Sequence, residues 1–152
     1  VDENRFPLWR TRGRFSRDAV RGTYGGRTTL YLQMQVAYYM GVRELYLLGL
    51  DFSFNVPEVT HETTELGEVV VVSGGEINHF HPEYRLPGEK WTLPKLDEQR
   101  AAFQLAREAF EQEGGAIFNA SRQTALDVFP LVDFDELLPG TETISHHGPS
   151  AG

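Results

Sequence analysis

The stretch from Gly25 to Phe54, GGRTTLYLQMQVAYYMGVRELYLLGLDFSF, constrains this chain most, because it strings together a glycine turn, an apolar helix, an apolar strand and an Asp. Thr28 to Met40 reads as the helix. Leu30, Leu32, Met34, Val36, Ala37, Tyr38, Tyr39 and Met40 put apolar groups on nearly every face, interrupted mainly by Gln33 and Gln35, so the helix is expected inside a domain. Gly41 stops it. Leu45 to Leu50 is then an unbroken apolar run, too short for a helix and too continuous for a one-faced strand, and suits a central parallel strand. This order of elements is half of an α/β unit of the kind that binds nucleotides.

The carboxyl end of a parallel strand is where open α/β sheets hold ligands, which makes Asp51 a candidate contact at the rim of a crevice. An Asp that caps a turn or bonds a nearby amide explains the same letter. Gly22, Gly25 and Gly26, followed by Arg27, Thr28 and Thr29, can bring backbone amides and hydroxyls to a phosphate at the helix N-terminus. Neither a Walker spacing nor a GxGxxG is present, and a tight turn capped by Thr28 also fits.

With 152 residues, 40% hydrophobic and 24% charged, the chain has room for one domain and one core. Zero cysteines exclude disulfides and thiolate metal sites, and no long apolar stretch or signal-peptide pattern is visible, so a cytoplasmic protein without stable membrane insertion is expected. The start at Val1, without Met, suggests the C-terminal part of a larger domain. A net charge of -8 argues against non-specific nucleic-acid binding, which needs clustered cations. Arg5, Arg10, Arg12, Arg14, Arg17, Arg21 and Arg27 nevertheless hold half of the 14 basic residues, so this end faces an anionic substrate or forms a solvated basic arm.

Residues 52–95 show one apolar run, Val69 to Val72, among Pro, Gly, His and acidic residues, with no convincing helix. Connections of that length in compact domains are commonly lids or binding loops, and a lid over the active site is expected. Within it, INHFHPEY collects His79, His81, Glu83 and Tyr84, the densest group of proton-transfer and hydrogen-bonding side chains in the chain. Either His is a candidate general base. Alternate residues of an extended segment share a face, so His79 and His81 could also reach a metal with Asp51 or Glu83, but two His with no third ligand in view more often bond to the chain or face solvent. Trp91 either stacks on a base or sugar or anchors the lid to the core.

A second helix is expected from Leu96 to Glu113, with Asp97 as its N-cap and Gly114 as its stop. Ala102, Phe103, Ala106, Ala109 and Phe110 form its buried stripe, with Arg107, Glu108 and Glu111 outward. Gly115 to Asn119 reads as a short parallel strand, placing Asn119 and Ser121 at a second carboxyl end, as ligand contacts or as an Asx or Ser turn. Phe134 to Leu138 forms a last short helix. The domain spans residues 1–138, and residues 139–152, with His146 and His147, are expected to be a disordered tail.

Taken together, LQMQVAYYMGVRELYLLGLD, then NHFHPEY, then GEKW with Pro94, then AREAFEQEGGAIFNAS and DVFPLVDFDELL, resemble the 6-hydroxymethylpterin diphosphokinase MptE-like domain over residues 15–138. That family includes a domain of the Maf flagellin glycosyltransferases and is similar in fold to bacterial sialyltransferases that use CMP-sialic acid. The resemblance implies a Rossmann-like parallel sheet flanked by helices with a long lid insertion. It also implies a nucleotide-dependent transferase acting on a nucleotide-linked donor, with a glycan or protein as acceptor. Thr28 and Thr29 then match a Ser-Thr pair near the nucleotide, and Asp51 the Asp ending a strand. Leu30 stands where that relative has Gly, and Trp91 and Thr92 stand where the sialyltransferases hold their basic His, so His79 or His81 replaces it or the chemistry differs. The alternatives are a diphosphokinase using ATP and magnesium, with Asp51 the best-placed carboxylate, and a non-catalytic nucleotide-binding or scaffold domain.

Overall fold

A computed structural model describes residues 13–55, 61–65, 68–75, 78, 81 and 83–137. The expected tail, His79 and the basic residues Arg5, Arg10 and Arg12 lie outside them. The described residues form a mixed α/β structure with two small sheets: α1 (Thr29–Tyr39), β1 (Glu44–Leu47), β2 (His61–Thr63), β3 (Val69–Val72), β4 (Lys90–Thr92), α2 (Leu96–Gln112), β5 (Ala116–Asn119) and α3 (Phe134–Leu137).

Helix α1 begins where the Thr28 hydroxyl accepts from the Leu30 amide, and ends as Gly41, at φ 90, and Val42 turn back onto the carbonyls of Tyr38 and Ala37. Its buried positions, Tyr31, Met34, Gln35 and Tyr38, follow helical spacing on one face. The helix is therefore half-buried rather than interior throughout, with Val36, Tyr39 and Met40 exposed. Of the two glutamines, Gln33 is exposed and Gln35 is completely buried. Gln35 has partners for every side-chain hydrogen-bonding group: its oxygen accepts from the amides of Ser16 and Tyr24, and its nitrogen donates to the carbonyls of Tyr24 and Tyr31. That arrangement ties residues 16–24 to α1 and removes the cost of burying an amide.

Strand β1 is shorter than the apolar run. Gly49, at φ 69, turns the chain out of the extended region, and Leu48 is exposed. β1 pairs in parallel with β5, from Glu44 opposite Ala116 to Leu47 opposite Asn119, and among the described residues no strand pairs with its other edge, so it is not the central strand expected. Close approach at the start of this ladder needs Gly115, where a Cβ would run into the Arg43 carbonyl. Leu45, Leu47 and Ile117 face the core with Met34, Tyr38, Phe103, Phe110 and Phe129. On the opposite face the Tyr46 and Phe118 rings stack at 5.1 Å.

Helix α2 packs against both α1 and β5 through the stripe Ala102, Phe103, Ala106, Ala109 and Phe110. Two expectations for it fail. Its N-cap is Lys95, without a side-chain bond, and Asp97 lies one residue inside the helix, where it still meets the favourable end of the dipole. Arg107 does not simply face outward: it pairs with Glu111 and donates to the Val128 carbonyl, holding the segment that buries Leu126, Val128 and Phe129. Gly114, at φ 72, ends α2 as expected.

The expected lid contains a three-stranded antiparallel sheet in the order β2, β3, β4. Val71 of β3 is fully buried, and Trp91 of β4 lies with its ring 5.3 Å from Phe54, just beyond β1. Both residues belong to the expected lid segment, so this contact lies within that segment and ties it to no core residue.

Candidate functional site

Each helix runs back from the carboxyl end of the parallel sheet to its amino end, because α1 leads through Met40–Arg43 into the start of β1 and α2 leads through Glu113–Gly115 into the start of β5. Both helix N-termini therefore lie at the carboxyl side of the strands, the end at which open α/β sheets hold ligands. At that end the two strand-exit loops are stitched together. The Leu50 amide donates to the Ser121 hydroxyl at 2.8 Å, and the Ala125 amide donates to the Asp51 carbonyl at 2.7 Å. Phe52 holds a left-handed backbone at φ 53 while its ring is buried against Phe103, with the Arg100 guanidinium 5.4 Å over it. A bulky residue in that conformation is strained, and such strain concentrates where a loop shape is over-determined by its surroundings.

Two adjoining cavities open beside these loops. One, of about 550 Å³, is lined by Leu48, Gly49, Ala120, Ser121, Arg122, Gln123 and Phe134. The other, of about 430 Å³, shares Ala120, Ser121, Arg122 and Phe134 and adds residues Leu131–Val132 and Asp133–Asp135. Both volumes fall in the range of about 300–1,000 Å³ typical of small-molecule sites. Of the residues anticipated from sequence, Ser121 alone among the described residues lines them. Leu48, Gly49, Arg122, Gln123 and Phe134 line them without any motif that marks them in the sequence. Arg122 was the findable one, since it directly follows Ser121 and carries a charge at a strand's exit.

Asn119 is fully buried, its amide oxygen accepting from the Ser121 amide at 3.0 Å and its nitrogen donating to the Thr124 hydroxyl at 3.1 Å. Its side chain thus shapes the turn that forms the cavity wall. Asp51 is exposed and lines neither cavity.

At the start of α1, Gly25 and Thr29 are exposed and Thr28 caps the helix. Gly26 is there for packing: a Cβ would lie 2.5 Å from the Tyr31 ring. Arg27, left-handed at φ 62, donates through Nε to Glu98 at 2.8 Å and lies 3.6 Å from Glu68, while its carbonyl accepts from Gln99 at 3.0 Å. Its charge joins the start of α1 to Glu98 in the first turn of α2 and to Glu68 just before β3, so it lies opposite two carboxylates.

Asn78, next to the histidines in sequence, bonds to the backbone of Asn55 beyond β1, accepting from its amide at 2.7 Å and donating to its carbonyl at 3.0 Å. His81 is exposed, with Nδ1 accepting from the Glu83 amide at 3.2 Å, and Tyr84 is exposed with its amide donating to the His81 carbonyl. Arg85 lies between Tyr84 and Trp91, 3.9 Å over the indole. Among the described residues, no group of three or more His, Cys, Asp or Glu side chains stands together as a possible metal site. No described helix is long and apolar enough to cross a membrane.

No family model, curated protein or solved structure matches this chain.

Proposed function

We propose that this chain is a nucleotide-dependent transferase domain of the MptE-like kind, transferring sugar from a CMP-type donor in bacterial surface-carbohydrate or flagellin glycosylation. The observation that carries the reading is the 550 Å³ cavity at the carboxyl ends of β1 and β5, the place where open parallel sheets hold nucleotides. In this reading β1 and β5 belong to a Rossmann-like layer, the nucleotide enters between the strand-exit loops, and the β2–β4 sheet is the lid. His79 or His81 removes the acceptor's proton, while Tyr84, Asp51 and the amides around Gly25, Thr28 and Thr29 border the donor. The protein works in the cytoplasm, and its acceptor is a glycan or a protein.

Thermal unfolding of the chain in the presence of CMP, CTP, UDP, GDP and ATP, each with and without magnesium, tests the reading, since anything that binds only the folded state raises Tm. Stabilisation by CMP or CTP without magnesium is expected. Stabilisation by ATP that requires magnesium would replace the glycosyl donor with diphosphoryl transfer, and no shift with any nucleotide would leave a scaffold domain.

A further inference from the structure

We infer that Arg122 is the anion-binding residue of the crevice and that Asp135 occupies it until an anionic group arrives. The inference rests on the nucleotide reading above and names the part of the nucleotide that Arg122 takes. Arg122 lines both cavities, directly after Ser121, whose amide donates to Asn119. Its guanidinium donates to the Asp135 carboxylate at 3.0 Å, with the two side chains 75% and 64% exposed. An ion pair this exposed holds its partners weakly, so displacing Asp135 costs little. A phosphoryl group offers Arg122 a bidentate, charge-assisted bond in return.

The surroundings restrict what can take that place. Leu48, Ala120 and Phe134 give the crevice apolar walls suited to the flat face of a base. Asp133 and Asp135 line the second cavity with it, in a chain of net charge -8, and among the described residues that line the two cavities Arg122 is the one cation that favours an anion. The ligand that fits is a nucleoside phosphate, its base against Leu48 and Phe134 and its phosphoryl group on Arg122. Asp135 then acts as a built-in competitor that lowers affinity for small anions lacking a base.

Calorimetric titration of the whole chain with CMP, cytidine and inorganic phosphate, for wild type, Arg122→Gln and Asp135→Asn, tests this. Arg122→Gln is expected to weaken CMP about tenfold or more while leaving cytidine unchanged, the size of one lost charge-assisted bond. Asp135→Asn is expected to tighten both CMP and phosphate. Both side chains are exposed, so circular dichroism should show the variants folded. CMP binding unaltered by Arg122→Gln would overturn this inference and leave the nucleotide reading standing. Absence of CMP binding to the wild type would overturn both.

Discussion

Tyr31 concentrates much of what single residues do here. Its ring covers Gly26, packs edge-on to Phe15 at 5.9 Å, and its hydroxyl donates to the Arg14 carbonyl at 2.8 Å. Burial raises its phenol well above the ordinary value of 10.0, because the phenolate would lose its hydration. The folded chain therefore keeps this proton more tightly than the unfolded chain. The stability it contributes is complete below about pH 10 and falls as pH rises beyond, where the unfolded chain ionises first. Urea midpoints at about pH 8 and about pH 11 should drop further for wild type than for Tyr31→Phe, which has no proton to lose. Tyr31→Phe should start lower at the milder pH, having lost the bond to Arg14. An equal drop in both proteins would assign the alkaline loss to other groups.

Among the elements, α1 shows how one residue type can serve structure where its neighbours suggested a ligand. Thr28 spends its hydroxyl oxygen on the Leu30 amide, and α1 has no acidic residue in its first turn to help it. Thr28→Ala is expected to cost about 1 kcal/mol of unfolding free energy through the lost cap, read from denaturant titration. A loss of nucleotide affinity beyond that would show that the same hydroxyl also meets the donor, and a variant as stable as wild type would contradict the cap. The apolar letters of α1 overstate its burial, because among the described residues the core meets only the face that carries Tyr31, Met34 and Tyr38, while Val36, Tyr39 and Met40 are exposed. Strands β2 and β4 were illegible for a related reason. HET and KWT are three residues each with little apolar pattern, and they exist as strands because Val70 and Val71 pair with them on both sides.

At the scale of the molecule, the crevice depends on two loops that are 71 residues apart in sequence meeting at Leu50 and Ser121. Ser121→Ala leaves the Leu50 amide without that acceptor and should cost about 1–2 kcal/mol, while speeding hydrogen exchange at Leu50 and Ala125. Unchanged exchange at both amides would show that the loops are held by packing alone. The sequence by itself determined both main helices, their glycine stops, the stripe of α2 and the two parallel strands, since these follow from hydrophobic spacing and backbone freedom within a few residues. It also pointed to the carboxyl ends of those strands, because a parallel strand has a fixed direction. Only the tertiary structure decided that Arg27 faces Glu68 and Glu98, that Asn119 is buried in a turn, and that Arg122 and Phe134 line the cavities. Those outcomes depend on which distant side chains arrive alongside, and local spacing carries no record of them.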